Sequence, residues 1–262
     1  ELVTVEDEWG TPVDAEKLQS ALAQHPDAKI VAFVHAETST GVCSDAKTLC
    51  AMAAQAGCLS IVDSVTGLAG VELLVDDWAA DVTYSGTQKC LSAPPGISLI
   101  TFSEKAAARV QSRNTPVQSW FLDLSLLMAY WQGEGARTYH HTAPVNAMYG
   151  LHEALLMVKE EGIENAWQRH REMHELLAQG VLSLGLDFVV AEDCRLPQLN
   201  LVRCPEGLDE GAVRKRLLHE YNLEIGAGLG AFAGKVWRIG LMGYSARREN
   251  IELCISALRT CI

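Results

Sequence analysis

The sequence predicts an α/β fold built on a mostly parallel sheet, and three observations carry that prediction. Short β-branched runs alternate with helix-length amphipathic segments, the pattern of right-handed βαβ crossovers. Ile30 to Val34 is a continuous apolar run, as in a parallel strand covered on both faces. Two further runs begin apolar and end polar: Leu59 to Asp63 delivers a carboxylate, and Asp81 to Lys89 breaks into Ser85, Thr87 and an amine. A helix-sized gap separates them, so both charges can meet at the carboxyl edge of the sheet, where α/β folds put their ligands.

Composition narrows the class. The 262 residues, 48% of them hydrophobic, can bury a large core in one large domain or two smaller ones. Acidic residues outnumber basic ones 33 to 21, a net charge of −12 that argues against a nucleic-acid or anionic-membrane surface. No apolar run approaches membrane-spanning length, and Glu1 does not open a signal peptide. Cys43, Cys50, Cys58, Cys90, Cys194, Cys204, Cys254 and Cys261 contain no Cys-x-x-Cys pair and several sit in apolar patterns, so they read as reduced core thiols in a reducing intracellular compartment.

Taken in order, Glu1 to Val5 reads as a strand. Pro12 to Gln24 has helical spacing, with Asp14 near its start favouring the N-terminal dipole. After the Ile30 strand, His35 to Gly41 is a polar, hydroxyl-rich loop containing Thr38, where ligand contacts are expected. Ser44 to Gly57 should be a helix with Ser44 as N-cap and Gly57 as stop. Ser98 to Phe102 adds a strand beyond the Pro94-Pro95-Gly96 turn. Leu122 to Trp131 and Ala143 to Glu161 are helical, and Met148, Leu151, Leu155, Leu156 and Val158 of the second read as core. Gly162 marks a boundary. It divides a large domain, 1–161, from a smaller α+β domain, 162–262, with a helix from Glu164 to Leu184, strands near Phe188, Leu199 and Val236, and helices near Val213 and Ile251.

Asp63 and Lys89 suit one cofactor in particular. Pyridoxal phosphate needs a lysine amine for a Schiff base and a carboxylate that keeps its ring nitrogen protonated as an electron sink. Arg238 lies in the apolar strand Val236-Trp-Arg-Ile-Gly240, which has no structural need of an arginine, and its two parallel donors fit a substrate carboxylate. Other motifs carry less. Gly226-Ala-Gly228-Leu-Gly230-Ala231 matches the dinucleotide fingerprint but runs into a strand where that fingerprint needs a helix. His170 and His174 have zinc-chelating spacing without a third ligand, and are better read as surface or interhelix residues. His140 and His141, as neighbours in an extended segment, should point apart and act in positioning.

Val62-Asp63-Ser64-Val65, Tyr84-Ser85-Gly86-Thr87-Gln88-Lys89 followed by Ala93-Pro94-Pro95-Gly96, Tyr139-His140-His141-Thr142 and Lys235-Val-Trp-Arg238-Ile-Gly240 together resemble the alanine–glyoxylate / serine–pyruvate aminotransferases. These are class V, fold-type I pyridoxal-phosphate enzymes. The resemblance spans essentially the whole chain, with several motifs in the same order. It implies a three-layer large domain in which Ser98 to Phe102 is the reversed strand of a mixed seven-stranded sheet, plus a small C-terminal domain. It also implies that Lys89 and Asp63 are catalytic, that Thr38, Val65 and Gln88 contact the cofactor, and that Arg238 grips the substrate carboxylate. Tyr139 and Thr142 would reach the phosphate of a neighbouring subunit, making a homodimer with a shared site. Amino and keto acids are the implied substrates: alanine or serine as donor, glyoxylate or pyruvate as acceptor. The implied location is the peroxisome, or else the cytoplasm or mitochondrion. Against the family pattern, Thr38 stands where serine is common. The part carrying the glycine-containing phosphate loop and the tryptophan stacked on the cofactor is absent, and both ends read as trimmed, so a fragment or processed chain is expected. Gln88 stands where a cysteine desulfurase would have histidine. Aminoethylphosphonate transamination and a non-catalytic dimerisation fragment are rival readings of the same residues.

Overall fold

The computed structural model describes residues 1–132 and 138–262. The first of its helices, α1 (Ala15–Gln24), starts at Asp14, whose side chain accepts from the backbone N–H groups of Glu16 and Lys17. The expected opening strand does not form. Leu2 is 88% exposed, and the residues just after the stretch are tied to α1, through Lys17 Nζ to Glu6 O (2.9 Å) and Asp7 Oδ1 (2.8 Å).

Strand β1 (Ile30–Val34) leads into a small hairpin, β2 (Ala36–Glu37) and β3 (Val42–Cys43), that frames the Thr38 loop. Helix α2 (Ala46–Gln55) follows, then β4 (Leu59–Asp63), β5 (Val82–Gly86) and β6 (Ser98–Phe102). The cap of α2 is Asp45, not Ser44. Asp45 takes the Thr48 N–H and hydroxyl (3.0 and 2.6 Å), while the Ser44 hydroxyl is occupied by the Val13 N–H (3.2 Å). Gly57 ends the segment at φ +73°, as expected of a stop in the left-handed region.

The main sheet has the order β1-β4-β5-β6. The first three strands are parallel, and β6 runs antiparallel to β5, the reversal that the family resemblance implies. The described residues supply four strands to this sheet rather than seven. β1 lies at one edge of the sheet, so it is not covered as a central strand would be: Val31 is buried but Ile30 is 53% exposed. Ala46 and Cys50 of α2 pack with Val62, Trp78 and Ala80 on one face of the sheet.

Beyond the sheet come α3 (Glu104–Gln111), α4 (Leu124–Gln132) and α5 (Val145–Glu161). The apolar face of α5 is only partly used. Leu151 and Ala154 are buried, but Met148 and Leu155 are 49% and 45% exposed and Leu156 is exposed as well, so those three are not core in this chain as the spacing suggested. At Gly162, φ +85°, the chain turns into α6 (Ile163–Ser183). An antiparallel sheet then forms from β7 (Leu199–Arg203), β8 (Gly226–Ala227) and β9 (Val236–Gly240) in the order β7-β9-β8, with α7 (Glu210–Tyr221) and α8 (Arg248–Cys261) packed beside it. Phe188 contributes a single bridge to Val202 rather than a strand. Trp237, Leu177, Leu217 and Leu258, all fully buried, centre this second core.

Candidate cofactor and substrate site

β4 ends on Asp63, which lies in register between Val34 of β1 and Tyr84 of β5. Its half-buried carboxylate is loaded on both oxygens: Oδ1 accepts from the Val65 N–H (2.9 Å) and Oδ2 from the Tyr84 hydroxyl (2.7 Å). Val65 therefore reaches the carboxylate through its backbone. Burial, and then the bonded Asp63 carboxylate, push the Tyr84 phenol up to about 12, so it remains a donor at neutral pH.

Lys89 lies three residues past the end of β5, in a turn closed by Ser92 N–H to Lys89 O and Ala93 N–H to Thr87 O, each 3.0 Å. Thr87, fully buried, ties this turn to Pro94 O (2.6 Å), so its hydroxyl serves the turn. Gln88 is exposed and folds back over Gly86, where a Cβ would lie 2.7 Å from its Oε1. Among the described residues no carboxylate lies within 4.0 Å of Lys89 Nζ.

The C-terminal part of the chain braces this turn. Gly243, at φ +55°, is wedged against it: a Cβ there would run into Ser92 Oγ and the Cys90 carbonyl. The next residue, Tyr244, donates its N–H to Ser92 Oγ (2.9 Å). Gly243 N–H in turn donates to Nε2 of the fully buried His170 (2.9 Å), whose Nδ1 donates to Ala166 O (2.6 Å). Arg169, paired with Glu161, holds Gly243 O (2.7 Å). His174, one turn on, bonds Asn200 Oδ1 (2.6 Å), so the two histidines serve different partners.

Arg238 comes from β9. Its Nε donates to Ala227 O (2.7 Å) and its Nη1 to Thr38 O (3.1 Å), across 200 positions of sequence. The strand does therefore use this arginine structurally, to tie the Thr38 loop to the C-terminal sheet. Among the described residues it has no carboxylate within 4.0 Å and Nη2 has no hydrogen-bond acceptor, so part of its charge stays available for an anion. Gly226 stands opposite, where a Cβ would sit 3.3 Å from Arg238 Cβ. The glycines from 226 to 230 lead from β8 into a short 3-10 turn, Gly230–Phe232, and then into β9, a setting with no phosphate-binding helix. A groove of about 280 Å³ opens beside the Thr38 loop, lined by Trp9, Val34, Glu37, Ser39 and Thr40; Asp63 and Lys89 do not line it.

Tyr139 and Thr142 stand apart from this group. Both are exposed, and their hydroxyls bond each other rather than Asp63, Lys89 or Arg238. Beside them, His140 and His141 do not point apart as expected: their Nδ1 atoms meet at 2.8 Å. His140 is stacked on Trp120, with centroids 4.0 Å apart, and bonds its carbonyl, which draws the ring inward. The structure thus joins Asp63, Val65 and Tyr84 in one cluster and Thr38 and Arg238 in another, with Lys89 in the turn that follows β5, the strand next to that of Asp63. Sequence alone gives Tyr84, Gly243, His170 and Arg169 no part in this site. For Tyr84 a signal exists, since a polar tip in an apolar strand next to the Asp63 strand asks for a partner.

Comparison with known proteins identifies the family. The model of the family described as Aminotransferase class-V matches residues 3–252. The chain is 40% identical over 249 residues to alanine–glyoxylate aminotransferase of Rattus norvegicus, covering 94% of this chain and 60% of that protein. It is 37% identical over 276 residues to (S)-ureidoglycine–glyoxylate transaminase of Bacillus subtilis, covering 98% of this chain and 66% of the relative. The crystal structure of alanine–glyoxylate aminotransferase from Nostoc sp. superposes with a TM-score of 0.94 at 44% identity, over 98% of this chain and 67% of the other. The chain thus spans about three fifths to two thirds of the length of these relatives. Fold, motif order and family model converge: the chain belongs to the class V aminotransferase family.

Proposed function

We propose that the chain carries the lysine, the ring-nitrogen carboxylate and the substrate arginine of a pyridoxal-phosphate-dependent aminotransferase that takes its amino group from alanine or serine and gives it to glyoxylate or pyruvate. The observation that carries the reading is an aspartate ending β4 and a lysine in the turn after the neighbouring β5, with an arginine anchored on the Thr38 loop. The groups present fit the cofactor. Lys89 has no competing carboxylate among the described residues, Asp63 has a half-buried carboxylate oriented by two donors, and Thr38 lies on a loop held in place through its carbonyl.

Pyridoxal phosphate, when bound, supplies an aldehyde that takes up amino groups and a protonated ring that delocalises the electron pair left on the substrate Cα. Lys89 Nζ binds that aldehyde and then serves as the base and acid for the Cα proton. Asp63 holds a proton at the ring nitrogen. Arg238, anchored by two backbone carbonyls, orients the substrate carboxylate so that the Cα–H bond faces Lys89. Thr38, Val65 and Gln88 line the cofactor's place.

The acceptor is supported by the names of two relatives, both glyoxylate transaminases. Their donors differ, and the name of the Bacillus subtilis relative makes (S)-ureidoglycine a second reading. We further propose that residues 1–161 form the cofactor-binding domain and 162–262 a smaller one. We also propose a homodimer in which Tyr139 and Thr142 reach the partner's phosphate site. The exposed Trp120, Phe121, Tyr139, Met148 and Tyr149 support it, since that much uncovered aromatic surface suits an interface. The eight free cysteines suit a reducing compartment, and family resemblance favours the peroxisome. Glycine production from glyoxylate by the cofactor-saturated protein, with alanine, serine and (S)-ureidoglycine offered in turn, tests the reading. Turnover with alanine or serine supports it, preference for ureidoglycine selects the second, and no glycine from any donor rejects both.

A further inference from the structure

We propose that Tyr84 is a positioning residue for Asp63: its phenol fixes the plane of the carboxylate so that the charge is presented to the ring nitrogen of the cofactor. The inference rests on the assignment of Asp63 made above. An aspartate's terminal torsion is broad and nearly two-fold, so a single donor does not fix it. Here two donors from different elements do, the Val65 N–H on Oδ1 and the Tyr84 hydroxyl on Oδ2. Tyr84 is in turn held by two ladders, opposite Asp63 on one side and Ile100 on the other.

The fold does not require this bond. Tyr84 is 37% exposed, so its hydroxyl has water as an alternative partner and is not a buried donor in need of satisfaction. The arrangement is also chemically one-way. With the phenol pushed up to about 12, the proton stays on oxygen and the carboxylate remains the acceptor.

Tyr84→Phe keeps the ring and removes the donor. We expect pyridoxal phosphate to bind about tenfold more weakly to this variant, the size expected for a lost hydrogen bond to a charged group. In an Asp63→Asn background the same change should cost less than about twofold, because the charge that Tyr84 orients is already gone, whereas a merely structural tyrosine would cost the same in both backgrounds. With ring-¹⁵N-labelled pyridoxal phosphate, the resonance in Tyr84→Phe should move part of the way from wild type towards the unprotonated position of Asp63→Asn. Without cofactor, the Tyr84 Cζ resonance should titrate at lower pH in Asp63→Asn than in wild type. Equal losses in both backgrounds, or an unmoved ¹⁵N resonance, overturn the role of Tyr84 while leaving Asp63 in place. Unchanged cofactor affinity in Asp63→Asn alone overturns the assignment of Asp63, and this inference with it.

Discussion

Gly243 is the most exacting point of contact between the C-terminal part of the chain and the turn that carries Lys89, and its replacement by alanine has a calculable cost. At φ +55° a Cβ brings the left-handed penalty of about 1–2 kcal/mol. The methyl group would also meet Ser92 Oγ and the Cys90 carbonyl; the hydroxyl can leave only by giving up the Tyr244 N–H, and the carbonyl is backbone, so the turn must move. Displacement endangers two hydrogen bonds, Gly243 N–H to His170 and Tyr244 N–H to Ser92, each worth about 0.5–1.5 kcal/mol net. The sum is about 2–5 kcal/mol, which for a chain of this size lowers Tm on the order of 10 °C. Since Lys89 lies next to Cys90, its reaction with pyridoxal phosphate should fall as well. Thermal unfolding and borohydride trapping on the same samples measure both. Gly243→Asn separates strain from contact: asparagine tolerates the left-handed region but still collides, so it should not rescue. An alanine variant within about 0.5 kcal/mol of wild type, the range of neutral surface changes, with undiminished trapping would refute the wedge.

Arg238→Lys keeps the charge but loses the planar fork that meets Ala227 O and Thr38 O together, so it should weaken amino donor and keto acid alike by about 1–3 kcal/mol each. Half-reaction kinetics check it, and normal apparent affinity for both would make Arg238 purely structural. His35 gives a pH prediction. Burial, partly offset by the Asp45 carboxylate, takes its imidazole down to about 4, against about 6.5 when unfolded. The neutral form is the one the fold holds, so this contribution is complete above pH 6.5 and is lost as pH falls towards 4. Between pH 7 and pH 5 the loss is about 2 kcal/mol. Denaturant unfolding at the two pH values should show that difference in wild type and much less of it in His35→Gln; equal pH dependence in the two proteins would contradict it.

Much of the site is legible in the sequence because strand chemistry is local. Asp63 and Lys89 stand out as polar residues ending apolar runs, and Arg238 as a charge inside one. What escapes depends on contacts between distant segments. His170 and Gly243 are 73 positions apart, and nothing local says that the histidine accepts from that glycine. Spacing misplaces the N-cap of α2 by one residue because Ser44 and Asp45 are both capping types, and only the Val13 N–H, 31 positions from Ser44, decides between them. Met148 and Leu155 read as core from their spacing, yet periodicity gives a face and not what covers it; that face is open here. The Glu1 strand fails for a related reason, since a β-prone run needs a partner ladder and none of the described strands pairs with it.

The most direct test of the account is where the cofactor attaches. Pyridoxal phosphate is added to the protein, the adduct is reduced with borohydride, and the labelled peptide is sequenced. The account predicts the label on Lys89 and none in Lys89→Ala, with the variant still folded. A label on another lysine in wild type, or an undiminished one in Lys89→Ala, would contradict it.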